Sequence, residues 1–191
     1  YSAWGVLVLG FALTAAAWYF SDRFVEANAH ERFEAGAREI TSAIDDRMAG
    51  YEQVLWGTVG FFNASNAVSR DEFRTYVNSL NIHQHWPGIQ GIGFSIPVNL
   101  AEKSEHEASI RAEGFPDYSI KPEGERNVYS AIIYLEPFDW RNKRAFGYDM
   151  WSNEMRRAAM ARARDLGIAS TSGMITLVQE TSDDVQKGFL T

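Results

Sequence analysis

The sequence predicts an α+β protein: an apolar helix, a long helical stalk, and then a region in which short strands and helices form layers. Three observations predict it. Residues 1–21 carry no charged side chain, an apolar stripe recurs every eleven residues between Ala29 and Phe62, and beyond residue 66 period-two and helical patterns take turns between Gly and Pro breaks. At 191 residues the chain holds one sizeable domain plus an appendage. A net charge of -7 argues against a nucleic-acid surface, which needs a basic stripe. The absence of cysteine removes disulfides, thiolate catalysis and Cys-based zinc sites. Six Trp, eight Tyr and twelve Phe supply a core and an aromatic-lined pocket.

Residues 1–21 read as a transmembrane helix, since about 20 apolar residues span the hydrocarbon layer. Tyr1 and Trp4 at one end, with Trp18, Tyr19 and Phe20 at the other, fit interfacial aromatic belts. The competing reading is a signal peptide with Ala15-Ala16-Ala17 as its cleavage site. The length of the run and its flow into a helical pattern favour the span. Residues 22–65 form the stalk. Ala29, Phe33, Ala37, Ile40, Ile44, Met48, Tyr51, Leu55, Val59 and Phe62 step by 4, 4 and 3, which describes a nearly straight helix of about 3.67 residues per turn. Its length is on the order of 60 Å. Its stripe either packs on the domain behind it or, in the membrane-near half, pairs with a second copy; the expectation is a homodimer through the stalk. Asn63-Ala64-Ser65-Asn66 ends it.

The domain proper occupies residues 66–191. Ser69-Arg70-Asp71-Glu72 resembles a capping box that opens a helix through Leu80. In residues 91–98, Ile92, Phe94, Ile96 and Val98 alternate with Gly91, Gly93, Ser95 and Pro97, which predicts a strand with one bare face, Pro97 marking an edge position or the strand's end. Residues 100–113 read as a polar helix stopped at Gly114, residues 118–121 as a short strand and residues 128–135 as a richer one. Residues 144–150 read as another strand, 155–166 as a helix closed by Gly167, 170–179 as a strand, and 181–187 as a hairpin tip. Gly188-Phe189-Leu190-Thr191 opens a last strand that the chain end cuts off.

Few residues carry chemistry. His83 and His85 are spaced as a metal pair, yet no third ligand lies nearby, and neither metal nor cofactor is expected. No Gly-x-Ser-x-Gly elbow exists, and Gly91-x-Gly93 is not a dinucleotide loop. Arg156, Arg157, Arg162 and Arg164 read as the solvated face of a helix, with an anion site at a pocket rim as the alternative. Asp149 follows an aromatic strand and precedes a helix whose N-cap is Ser152 or Asn153. Two roles are open to it: accepting hydrogen bonds from a ligand's N–H groups, or capping the helix.

Several blocks together resemble a CHASE domain, the extracytoplasmic sensor of histidine kinases, diguanylate cyclases and plant cytokinin receptors. They are Trp86-Pro87-Gly88-Ile89-Gln90-Gly91-Ile92-Gly93-Phe94, Tyr134-Leu135-Glu136-Pro137, Gly147-Tyr148-Asp149-Met150, Arg156-Arg157-Ala158-Ala159, Ala163-Arg164-Asp165-Leu166-Gly167 and Ile175-Thr176-Leu177-Val178-Gln179-Glu180. The resemblance implies tandem PAS-like antiparallel-sheet subdomains, of which the membrane-distal one holds a small-molecule ligand. It also implies a second transmembrane helix and a cytoplasmic output domain beyond residue 191. An Asp at the position of Asp149 pairs with the adenine edge in cytokinin-binding relatives, and Thr171 and Thr181 match further ligand positions. Tyr134 and Tyr148 complete the expected ligand set. The expected function is a periplasmic or extracellular ligand sensor of a membrane-bound receptor, without catalysis of its own. A membrane-anchored hydrolase and a purely structural dimerisation module are the alternatives.

Overall fold

The computed structural model describes residues 2–178 and 187–191, in two compact units, Tyr1–Ala49 and Gly50–Thr191. Helix α1, Ser2–Asn63, begins in the first and ends in the second without a break. Its N-terminal part is long and apolar enough to cross a membrane, and none of that part is buried. Further along, the charged faces are laced by i,i+4 pairs, Glu34 meeting both His30 at 3.1 Å and Arg38 at 3.3 Å. The apolar stripe between them has no cover: Phe33, Ile40 and Ile44 are 74%, 65% and 56% exposed.

Within the second unit the end of α1 is packed on a face shifted from the predicted stripe, which keeps Phe62 inward, leaves Leu55 half-buried and turns Val59 out. Val54 and Thr58 are buried whereas Val59 is exposed. The reason is the small residues beside them. A methyl group at Gly57 would stand 3.1 Å from the Tyr76 hydroxyl, and one at Gly50 would stand 2.5 Å from the Trp86 ring. Close approach at these glycines turns the helix so that Val54 meets Phe73, Val77, Ile82 and Ile92 in the core. Phe61 stacks on Tyr76 with ring centres 4.5 Å apart, and Phe62 on Phe94 at 4.2 Å. Each fully buried apolar side chain of this kind contributes roughly 1.5–3 kcal/mol.

Helix α2, Arg70–Leu80, opens with the predicted box: the Ser69 hydroxyl accepts from the Glu72 N–H and the Glu72 carboxylate accepts from the Ser69 N–H. Asn81, left-handed at φ 48°, ends α2 and leads into the short α3, Ile82–His85. Strand β1, Ile92–Asn99, pairs antiparallel with β2, Val128–Glu136, from Ile92 opposite Glu136 to Asn99 opposite Val128, with a bulge between Phe94 and Ser95. The bare face of β1 receives protein: a methyl at Gly91 would lie 2.9 Å from the Asn142 amide. Helix α4, Lys103–Ala112, and α5, Glu154–Leu166, complete the layer, and β3, Ile175–Thr176, pairs with β4, Lys187–Gly188. Gly167 closes α5 at φ 66°, and Asn153 caps its start.

The α+β class holds, but the described strands are fewer and shorter than predicted. Residues 144–150 form no strand. Asp139 accepts from the Asn142 N–H and winds a 3₁₀ turn over Asn142–Ala145, and Asp149 starts another, Met150–Ser152. Between the two turns the chain lies along β2 without forming a strand: Gly147 donates to the Ile132 carbonyl, Ile132 donates to the Tyr148 carbonyl, and Asp149 bridges to Ala131, while on its other side Tyr148 bridges to Lys121, outside the sheet. The predicted strand at 118–121 is reduced to that bridge, and the one at 170–179 to Ile175–Thr176. The hairpin tip at 181–187 lies mostly outside the described residues.

Candidate functional site

Gly147 sets the position of Tyr148 and Asp149. Its φ of 80° and the nearness of the Ser119 carbonyl leave no room for a side chain, so the backbone turns there and delivers the next two residues to β2. Asp149 is completely buried. Its Oδ1 accepts from the Ser130 N–H at 2.8 Å and the Trp151 N–H at 3.0 Å. Oδ2 has no hydrogen-bond partner among the described residues, and the Arg126 guanidinium stands 3.5 Å away. Arg126 is itself held by the Pro122 and Gly124 carbonyls and lies over the Tyr129 ring. One oxygen of Asp149 therefore caps a turn and clamps β2, while the other faces a cation without a hydrogen bond.

Tyr148 packs with Ile132, Leu135, Ala145, Met150 and Val178, and its hydroxyl accepts from Ser152 at 3.2 Å. Over its ring, 4.6 Å from the centre, lies the guanidinium of Arg156. Arg156 is 4% exposed, which corrects the reading of the arginine run as a solvated face. Its Nη2 donates to the Thr176 carbonyl at 3.2 Å, and its Nε is buried with no partner among the described residues. Burial holds its pKa below the ordinary value. The other three arginines do sit outward, Arg157 on the Trp151 carbonyl, Arg162 on Ser170 and Thr171, and Arg164 on Asp165.

Tyr134 belongs to a different place. Its hydroxyl donates to the Val68 carbonyl at 2.7 Å, and burial raises its pKa. Its ring forms one wall of a small pocket that Arg70, Arg74, Phe73, Phe115, Leu135, Glu136 and Phe138 complete, enclosing about 10 Å³, room for roughly one water. Arg70 dominates it, donating to Glu113 at 2.7 Å and to the Ile133 carbonyl, over the rings of Phe115, Tyr134 and Phe146. Thr171 is near the chain end, its hydroxyl 3.1 Å from that of Thr191. Thr181 lies outside the described residues. The structure thus joins Tyr148 and Asp149 by sequence and sheet, and among the described residues no hydrogen bond or ring contact links them to Tyr134 or Thr171. His85 faces the Leu80 carbonyl at 3.3 Å, and no cluster of metal-ligating residues occurs among the described residues.

The profile of the CHASE domain family matches residues 66–191. The chain belongs to the CHASE domain family. No curated protein matches it significantly. The match begins just before α2 and takes in the sheet, the Asp149 turn and α5. CHASE domains are extracytoplasmic, non-catalytic sensors of signalling receptors. Sequence reasoning named Asp149 and Tyr148, did not single out Arg70, and placed Arg156 on the solvated face of its helix, where the structure instead buries it. The signal for Arg156 was its place three residues before Ala159, the buried small residue of α5.

Proposed function

We propose that this chain is the periplasmic or extracellular ligand-sensing part of a membrane-bound receptor of histidine kinase or diguanylate cyclase type, anchored in the cell membrane by its first 21 residues or so. Residues 22–65 are the stalk and residues 66–191 the PAS-like sensor region. The ligand is a small molecule, adenine-derived or of similar polarity, and Asp149, Tyr148, Tyr134, Thr171 and Thr181 are its contact set. The observation that carries this reading is Asp149: a completely buried carboxylate with one oxygen that finds no hydrogen bond among the described residues, in the chain of a CHASE domain. A ligand N–H arriving at Oδ2 adds a charge-assisted hydrogen bond. Ligand binding shifts the balance between two packings of the domain on its stalk, and that shift is the signal.

A thermal-shift screen of the full chain in detergent, over adenine derivatives, amino acids and small acids, tests this. A ligand that binds only the folded protein raises its melting midpoint. The reading is wrong if no class does so. The stalk stripe supports a homodimer, and the absence of cysteine makes that easy to test. Ile40→Cys and Ile44→Cys in membranes should cross-link two copies under oxidation, while Glu39→Cys on a charged face should not; equal cross-linking at all three would remove the stripe from the interface.

One observation favours a second reading. The pocket beside Tyr134 has room for only about one water, as in a structural dimerisation module with a filled interior. The same screen separates the two.

A further inference from the structure

Arg156 combines three properties that together are costly. It is buried, it is an arginine and so keeps its charge, and no carboxylate among the described residues lies within ion-pair distance of it. Buried charges are ordinarily paired, because taking them from water without a partner is expensive. The Thr176 carbonyl and the Tyr148 ring face offset part of that cost, and the Nε–H is left over. We propose that Arg156 is the anchor for an anionic oxygen group of the ligand, a carboxylate or a phosphate, with Tyr148 as the flat wall beside it. This rests on the sensor reading above and names the chemical class of ligand for it: an organic acid, not a neutral base alone.

The geometry suits the task. A guanidinium is a planar fork that matches carboxylate and phosphate oxygens, and a guanidinium over an aromatic ring is already held flat. Asn153 accepts from the Arg156 N–H at 3.2 Å and fixes the start of α5, so the side chain leaves from a defined point. Arg157, Arg162 and Arg164 have oxygen acceptors of their own and are exposed, so the anchor falls on Arg156.

Paired probes, one anionic and one neutral, test it: benzoate against benzamide, which have nearly the same shape, and adenosine 5′-monophosphate against adenosine, which lacks the phosphate, each added to the full chain in detergent at constant ionic strength. The anionic member of at least one pair should raise the melting midpoint of the wild type by several degrees more than its neutral mate. Which pair responds distinguishes carboxylate from phosphate. Arg156→Met should abolish the difference, with Arg156→Lys recovering part of it. If neutral and anionic members move the wild type equally, the anion site is wrong and the sensor reading stands. If none of the four moves it, the anion site is wrong as well, and the broader screen then decides the sensor reading. The wild-type comparison holds whether or not Arg156→Met folds, and an Arg156→Met protein that keeps the full anion response overturns the proposal.

Discussion

Arg70 and Arg156 are two arginines drawn under the surface, and the protein treats them in opposite ways. Arg70 has a carboxylate, a backbone carbonyl and three aromatic rings around it, although its buried Nη2, like the Nε of Arg156, finds no hydrogen bond among the described residues. Among the described residues Arg156 has one carbonyl and one ring. The first is a strut: it ties the start of α2 to the end of α4 through Glu113 and to β2 through Ile133, and its charge is compensated within the chain. The second lies on α5 with a charge that the described residues leave uncompensated. The difference teaches that burial alone does not mark a binding residue. What marks it is burial with no counter-ion among the described residues.

Changes at compensated groups should be expensive and changes at the uncompensated one cheap. Asp149 gives the largest effect, because Asp149→Ala strips the Ser130 and Trp151 N–H groups of their acceptor and leaves Arg126 without its anion. Urea denaturation should show a loss of about 2–4 kcal/mol, and a loss under about 1 kcal/mol would break the argument. Arg70→Met should cost roughly 1–3 kcal/mol through the orphaned Ile133 carbonyl and the lost Glu113 pair.

Glu107 sharpens the comparison by pH. Burial works to raise its pKa, but the Ile120 N–H, Lys103 and Arg111 outweigh it and hold the carboxyl below its ordinary 4.5. A depressed folded value means that the stabilisation is full above the ordinary value and is lost as pH falls through the lowered one. Glu107→Gln should therefore cost about 1 kcal/mol at pH 7, and the gap to wild type should narrow below about pH 4.5; a gap independent of pH would assign the effect to packing. Arg156→Met should come last, within about 1 kcal/mol of wild type or above it, since it relieves the desolvation cost of a buried charge that has no counter-ion among the described residues.

Local signals were legible in the sequence. The Ser69 box, the Gly167 stop and the alternation of β1 each rest on a few adjacent residues, and the structure has them. Longer-range choices were not. The stripe pointed to Leu55 and Val59, but Gly50 and Gly57 let Trp86 and Tyr76 come close and bring Val54 and Thr58 inward. Residues 144–150 have strand-like composition, yet the side chains of Asp139 and Asp149 offer the backbone N–H groups a nearer acceptor and wind turns instead. The candidate site divides the same way: Asp149 stood out by type and place, whereas the inward turn of Arg156 depends on how α5 meets Tyr148.

The most direct measurement is the melting midpoint of the wild type, Arg70→Met and Arg156→Met side by side, each with benzoate and with benzamide. The account predicts that benzoate raises the midpoint of the wild type and, from a lower start, of Arg70→Met, and leaves Arg156→Met where benzamide does. A benzoate response that survives in Arg156→Met and disappears in Arg70→Met would contradict it and move the ligand to the Arg70 pocket.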